Sequence, residues 1–285
     1  HISPDLDTLM YTLSGKSDPE KGWGLARESW TVMRAMEEMG GETWFQLGDR
    51  DLATHLERTR RLSEGDSLSA ITTYFCHKFG IASRIIPASN DSVRTIVETP
   101  EGDLSFQNYF VQNSCKPIAT GLRFQGDDKA LPHPEFIEIL QSPFLKAVLI
   151  CPSNPFLSID PILAVQGVRE ALQGCSVPVI AVSPIIGTDS VKGPTAKIMR
   201  ELGLPVSAIA VANYYRDFLD GFILDTQDEK EASEIQKMNI SVKVADILMK
   251  DLATKTKLAN IVLDFSNNCN KRNLNLQKNG LSCGA

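Results

Sequence analysis

The sequence predicts an α/β protein whose core is a doubly wound, mostly parallel sheet carrying an α+β insertion. Three observations lead there. The second half of the chain repeats short, near-continuous apolar runs; helix-length amphipathic stretches separate them; and a central region instead divides its strands with tight turn signals.

At the start, Ser3-Pro4-Asp5-Leu6-Asp7-Thr8 reads as an extended stretch that leads into an apolar helical run, and Gly48-Asp49-Arg50-Asp51 opens a second helix. Leu68 to Phe79 has helical period, and strands are expected at Arg84 to Ile86, Arg94 to Glu98 and Leu104 to Phe110, with Glu101-Gly102-Asp103 as a turn. Lys146 to Cys151 is a buried-strand run that ends in the loop Pro152-Ser153-Asn154-Pro155, and Pro161 to Leu172 follows as a helix. Val177 to Val182 is the next strand, and Gly193-Pro194 opens a helix that ends near Gly203, since proline suits the first helical position. Ser207 to Ala212, Phe222 to Asp225 and Ser241 to Val244 are read as further strands. These elements divide the chain into a core of residues 1–62 and 140–265, an insertion at 63–139, and an Asn- and Lys-rich tail at 266–285 expected to be disordered.

Composition narrows the function. The chain has 285 residues, is 42% hydrophobic and carries a formal net charge of -6, values of a globular protein without the basic face that nucleic-acid binding requires. Arg58, Arg60 and Arg61 do cluster, but they alternate with acids in a helical pattern and read as a solvated face. No apolar run approaches the roughly 18 residues of a membrane helix. The six cysteines form no C-x-x-C, and the four histidines are dispersed, so reduced thiols and no zinc site are expected. His1 is not an initiator methionine, so a targeting peptide is neither seen nor excluded; a cytoplasmic location is the default.

Ligands of open parallel sheets bind at the carboxyl ends of the strands, which directs attention to three junctions. On an extended stretch Asp5 and Asp7 would share a face and could point at one Mg²⁺ ion; the alternative is that either caps the following helix. In Asp49-Arg50-Asp51 the acids suit hydroxyls or a metal and the guanidinium suits a phosphate, with capping and a surface ion pair as the plainer reading. His55 fits a hydrogen-bonded structural histidine better than a general base, because it lies one turn inside the helix. Ser153, Asn154 and Ser158 would place hydroxyl and amide donors at a helix N-terminus suited to a diphosphate, and Ser183 sits at the equivalent junction one strand later.

In combination these segments are more specific than any one of them. The ordered series SPDLDT (3–8), GWG (22–24), LGDRDLATH (47–55), FQNYFV (106–111), PSNPFLSIDPIL (152–163), VSPIIG (182–187) and KGPTAK (192–197) resembles the 2-phospho-L-lactate transferase family over residues 1 to about 265. The resemblance implies a Rossmann-like fold with an α+β insertion and Mg²⁺-dependent transfer of a phospholactyl or phosphoenolpyruvyl group. The donor would be guanosine-diphosphate-linked lactate or enolpyruvate, the acceptor the deazaflavin Fo, and GMP the leaving group, in coenzyme F420 synthesis. It further implies a catalytic and metal-facing Asp7 with Asp5 beside it, and an acceptor pocket near Asp7, Gln46, Asp49 and Arg50. Gln46 stands where some relatives carry a basic residue. Ser153, Asn154, Ser158 and Ser183 would face the donor's diphosphate. Both substrates are small molecules, and a homodimer is left open. The family's N-terminal strand and Gly-rich turn have no counterpart here, so a chain limited to these residues is expected to be inactive. The related gluconeogenesis-factor family, which binds nucleotide sugars without turnover, is the competing resemblance. Its relatives carry a Gly-Asp-Ile-Arg-type run where this chain has Asp5-Leu6-Asp7.

Overall fold

The computed structural model describes residues 1–272, which fold as two compact units. Residues 1–92 and 107–116 form the first. It is helical: α1 (Pro4–Leu13), α2 (Thr31–Glu38), α3 (Asp49–Ser63) and α4 (Leu68–Lys78), with a π-helical turn at Asn108–Gln112. Proline near the start of α1 gives up an amide that would have no partner there, and Asp5 and Asp7 in the first turn complement the helix dipole. Met10 and Tyr11 of α1 pack with Ile71, Phe75 and Cys76 of α4 and with Leu25 and Ile85. That packing joins residues 63–92 to the N-terminal helices, so the division differs from the boundary expected at residue 62.

The second unit comprises 93–106 and the described residues from 117 onward. Its first sheet is antiparallel, in the order β2-β1-β3, from β1 (Arg94–Glu98), β2 (Leu104–Ser105) and β3 (Gly121–Gln125). After α5 (Pro134–Leu140) comes β4 (Val148–Ile150), a π-helical turn (Pro155–Ile159), α6 (Asp160–Leu163), α7 (Val168–Gly174) and β5 (Val179–Val182). A ribbon of β6 (Ile185–Ile186) and β7 (Asp189–Ser190), then α8 (Thr195–Glu201) and α9 (Ala208–Tyr214), lead to β8 (Gly221–Asp225). A 3-10 turn (Thr226–Glu231), α10 (Ala232–Gln236), β9 (Ser241–Ala245) and α11 (Leu252–Asn268) complete it. The order β4-β5-β8-β9 is parallel throughout, the α/β arrangement expected. Ile180, Val182 and Ile223 meet Leu258 and Val262 of α11 in the core of this unit. No helix among the described residues is long and apolar enough to cross a membrane.

Several expected elements differ. Ser207 to Ala212 is helix, not strand: Ser207 accepts the Ala210 amide as an N-cap, and the alanines favour helix. The helix expected at Pro161 to Leu172 is broken, because Gly167 adopts φ 84°, a left-handed conformation that interrupts it before α7. Arg84 to Ile86 forms no strand, and only Leu104 and Ser105 of the expected strand at 104–110 pair with β1, since the chain then coils into the π-helical turn. Helix α11 runs to Asn268 and the Arg272 amide bonds Asp220, so residues 266–272 are ordered where disorder was expected; 273–285 lie outside the described residues.

Candidate functional site

In the first unit, α1 and α3 face each other with charge rather than apolar surface. Successive residues of a helix turn by about 100°, so Asp5 and Asp7 stand roughly 200° apart around α1 and cannot share the face an extended stretch would give them. Asp5 is exposed, whereas Asp7 is only 4% exposed. From α3, Thr54, His55 and Arg58 turn inward, while Leu56, at 63% exposure, points to solvent. Arg58 is therefore not part of a solvated face: it is 1% exposed and its guanidinium forks onto both oxygens of Asp7. The neighbours Arg60 and Arg61 do pair outward, with Glu57, Glu64 and Asp66. Burial pushes the Asp7 carboxyl above its ordinary range, with the Arg58 guanidinium beside it acting the other way.

Arg58 Nη1 also lies 3.2 Å from His55 Nδ1. A guanidinium only donates, so Nδ1 is the acceptor and the imidazole proton sits on Nε2. Nε2 faces Asp51 Oδ1 at 3.3 Å, and the same oxygen accepts the Tyr11 hydroxyl at 2.6 Å. A buried polar chain thus runs Asp7–Arg58–His55–Asp51–Tyr11. Burial alone would raise the Asp51 carboxyl, but the His55 ring beside it and the bond from Tyr11 hold it below its usual value. Burial first, and then the bond to Asp51, push the Tyr11 phenol well above its own range.

The Gly48-Asp49-Arg50-Asp51 run does its capping across the helix pair. Glu28 accepts the Arg50 and Asp51 amides at the N-terminus of α3, at 2.9 and 2.8 Å. Gly48 permits this approach, since a Cβ there would meet the Glu28 side chain at 2.2 Å. In return Asp49 accepts the Ser29 hydroxyl and the Thr31 and Val32 amides that open α2. The Ser29 bond, with those from Val32 and Thr31, holds the Asp49 carboxyl at about 2. Asp49 is thus occupied by capping. Exposed Arg50 donates to the Ala26 carbonyl, and exposed Gln46 to the Thr43 carbonyl. An open depression lies alongside, lined by Lys21, Trp23, Trp30, Glu28, Gln46 and Asp51 among others. Trp23 is 51% exposed, and the Lys21 ammonium stands 5.4 Å from its ring and 5.1 Å from that of Trp30.

The second unit brings Ser153, Asn154 and Ser183 to one edge, the carboxyl ends of the adjacent parallel strands β4 and β5. Asn154 Oδ1 accepts the Phe156 and Leu157 amides, and its Nδ2 is buried without a partner. Ser153 and Ser158 are half-buried. Ser183 is buried, and its hydroxyl closes a turn by donating to the Ile185 carbonyl and accepting the Ile185 amide, so it is spent within its loop. Just beyond, Asp160 accepts the Tyr214 hydroxyl; burial raises its carboxyl to about 6, against that bond and nearby Arg169.

Asp5 and Asp7 do not fit a magnesium ion as arranged: they occupy different sides of α1, and Arg58 occupies both Asp7 oxygens. Among the described residues no group of three or more His, Cys, Asp or Glu side chains is placed to hold a metal. Sequence reasoning missed Arg58 and the inward role of Asp51. The signal was their spacing: residues 51, 55 and 58 fall at i, i+4 and i+7, one helical face.

The family model described as 2-phospho-L-lactate transferase CofD matches residues 1–262. A 2-phospho-L-lactate transferase from Methanosarcina mazei is 38% identical over 262 residues, covering 92% of this chain and 85% of that protein. A phosphoenolpyruvate transferase from Kitasatospora aureofaciens is 38% identical over 268 residues, covering 92% of this chain and 83% of the relative. A solved structure from Bacillus halodurans, of a member of the UPF0052 family, shares the fold with a TM-score of 0.56 at 12% identity. It covers 89% of this chain and 81% of that one.

Proposed function

This chain belongs to the 2-phospho-L-lactate transferase family CofD, and on that premise we propose that it transfers a phospholactyl or phosphoenolpyruvyl group to the hydroxyl of the deazaflavin Fo. The donor is a guanosine-diphosphate-linked lactate or enolpyruvate, GMP leaves, and the product belongs to coenzyme F420 biosynthesis. Relatives named for both transfers align over nine-tenths of the chain. Soluble small-molecule substrates suit a cytoplasmic enzyme.

The observation that carries the acceptor side is the depression in the first unit, where Trp23 and Trp30 present rings next to Gln46 and Asp51. A planar heteroaromatic acceptor gains stacking area on such rings while the polar rim engages its carbonyl and N–H groups. Donor binding falls to the loop after β4. Its half-buried Ser153 and Ser158, and the unpartnered Nδ2 of Asn154, are the donors a diphosphate uses. Phosphoryl transfer draws its acceleration mainly from positioning and charge stabilisation, so fixed donors and a rigid acceptor platform are the parts the reaction needs. Asp7 contributes by positioning: paired with Arg58, it holds α1 and α3 behind the acceptor depression.

Tryptophan fluorescence tests the acceptor assignment, because Trp23, Trp30 and Trp44 all lie in the first unit. Fo should quench the intact protein on titration. Trp23→Ala should weaken Fo by about 1–3 kcal/mol, the worth of one base-on-aromatic stack, and leave the guanosine donor unaffected. Unchanged Fo affinity in both Trp23→Ala and Trp30→Ala would remove the depression from the reading.

A further inference from the structure

We infer that Asp51 is the base that receives the proton of the acceptor hydroxyl, with Tyr11, His55 and Arg58 as its positioning residues; this rests on the transfer reaction proposed above. The two oxygens of Asp51 are used differently. Oδ1 carries the Tyr11 hydroxyl and faces His55 Nε2. Oδ2 takes no hydrogen bond among the described residues, and the side chain, 14% exposed, lines the same depression as Trp23 and Trp30. The carboxylate is thus anchored from behind and open in front.

The anchoring also fixes its protonation. Since Arg58 can only donate to His55 Nδ1, the imidazole proton lies on Nε2, the nitrogen that faces Asp51 Oδ1 at 3.3 Å. The Tyr11 hydroxyl on Oδ1 and the His55 ring beside it favour the ionised carboxylate. Asp7 lacks these features, because Arg58 occupies both of its oxygens. Asp49 lacks them as well, being consumed by the amides of α2.

In the step itself, the acceptor O–H proton passes to Asp51 Oδ2 as the acceptor oxygen bonds to the donor's β-phosphorus. The bond from that phosphorus to the bridging oxygen breaks, GMP leaves with the electron pair, and Asp51 later returns the proton to water. A weak base suffices because the transition state is loose and the hydroxyl loses its proton late, as with the aspartate of protein kinases.

The test is single-turnover transfer by the intact protein, using Fo and guanosine-diphosphate-linked lactate, alongside Fo affinity from tryptophan quenching. Asp51→Asn should slow transfer at saturating Fo by about 10²–10⁴-fold, the range of a general base. Asp51→Ala should behave likewise and regain rate when formate is added, which a purely structural role would not produce. Tyr11→Phe, which keeps the charge and loses one anchor, should cost less than Asp51→Asn. An Asp51→Asn protein as fast as wild type, a loss lying wholly in Fo affinity, or an Asp51→Ala protein that formate does not rescue would each overturn the assignment of Asp51 alone. Wild-type protein that forms no adduct would overturn the proposed reaction together with this step.

Discussion

Arg58→Met isolates the interaction around which the first unit is organised. The wild-type guanidinium is 1% exposed and serves both oxygens of Asp7, the His55 ring and the His1 carbonyl. Methionine matches its length but leaves a carboxylate buried without a counter-charge. Removing one member of such a pair costs about 3–5 kcal/mol. With a urea dependence of about 1–3 kcal/mol per molar, the midpoint should fall by at least about 1 M. Tryptophan emission is the assay, since all three indoles report on this unit alone. The pH dependence has a definite sign. Without Arg58 the Asp7 carboxyl moves further above its unfolded value, so the penalty is full at alkaline pH and is relieved as the pH falls and Asp7 takes up a proton. Arg58→Lys should rescue poorly, because an ammonium cannot fork onto two oxygens. Asp7→Leu combined with Arg58→Met should recover most of the loss, as an apolar pair of similar volume often does. An Arg58→Met protein within about 1 kcal/mol of wild type would refute the paired-charge account of α1 and α3.

Two further outcomes follow from the second unit. The Asp160 carboxyl lies at about 6 in the fold against 3.8 unperturbed, so its burial costs about 1–3 kcal/mol above pH 6 and nothing below its unfolded value. Asp160→Asn should therefore raise the calorimetric midpoint at neutral pH and flatten the fall in stability between about pH 4 and 6; an unchanged profile would contradict this. Ser153→Ala should weaken the guanosine donor by about 1.5–3 kcal/mol, the worth of a hydrogen bond to a charged partner, and leave Fo alone. Equal losses for both ligands in separate titrations would contradict the assignment of this loop to the donor.

The parallel core was readable because buried strands such as Val179–Val182 are apolar at every position, and only a strand covered on both faces tolerates that. Ser207 to Ala212 misled for the same reason: a short apolar run suits either state, and the cap at Ser207 decided for helix. Asp5 and Asp7 were legible as a motif, but their geometry was not, although Pro4 marks a helix start. Adjacency groups Arg58 with Arg60 and Arg61, whereas helical period sets it with Asp51 and His55 on the inner face. Its partner Asp7 lies 51 residues away, and no local pattern announces a contact over that distance.

The central claim is group transfer, and the direct measurement is product stoichiometry in one turnover. Intact protein mixed with Fo and limiting guanosine-diphosphate-linked lactate should yield one GMP for each phospholactyl-deazaflavin detected by mass spectrometry, with both absent when Fo is omitted. GMP released without adduct, or bound donor recovered unchanged beside free Fo, would show a hydrolase or a binding protein in place of a transferase.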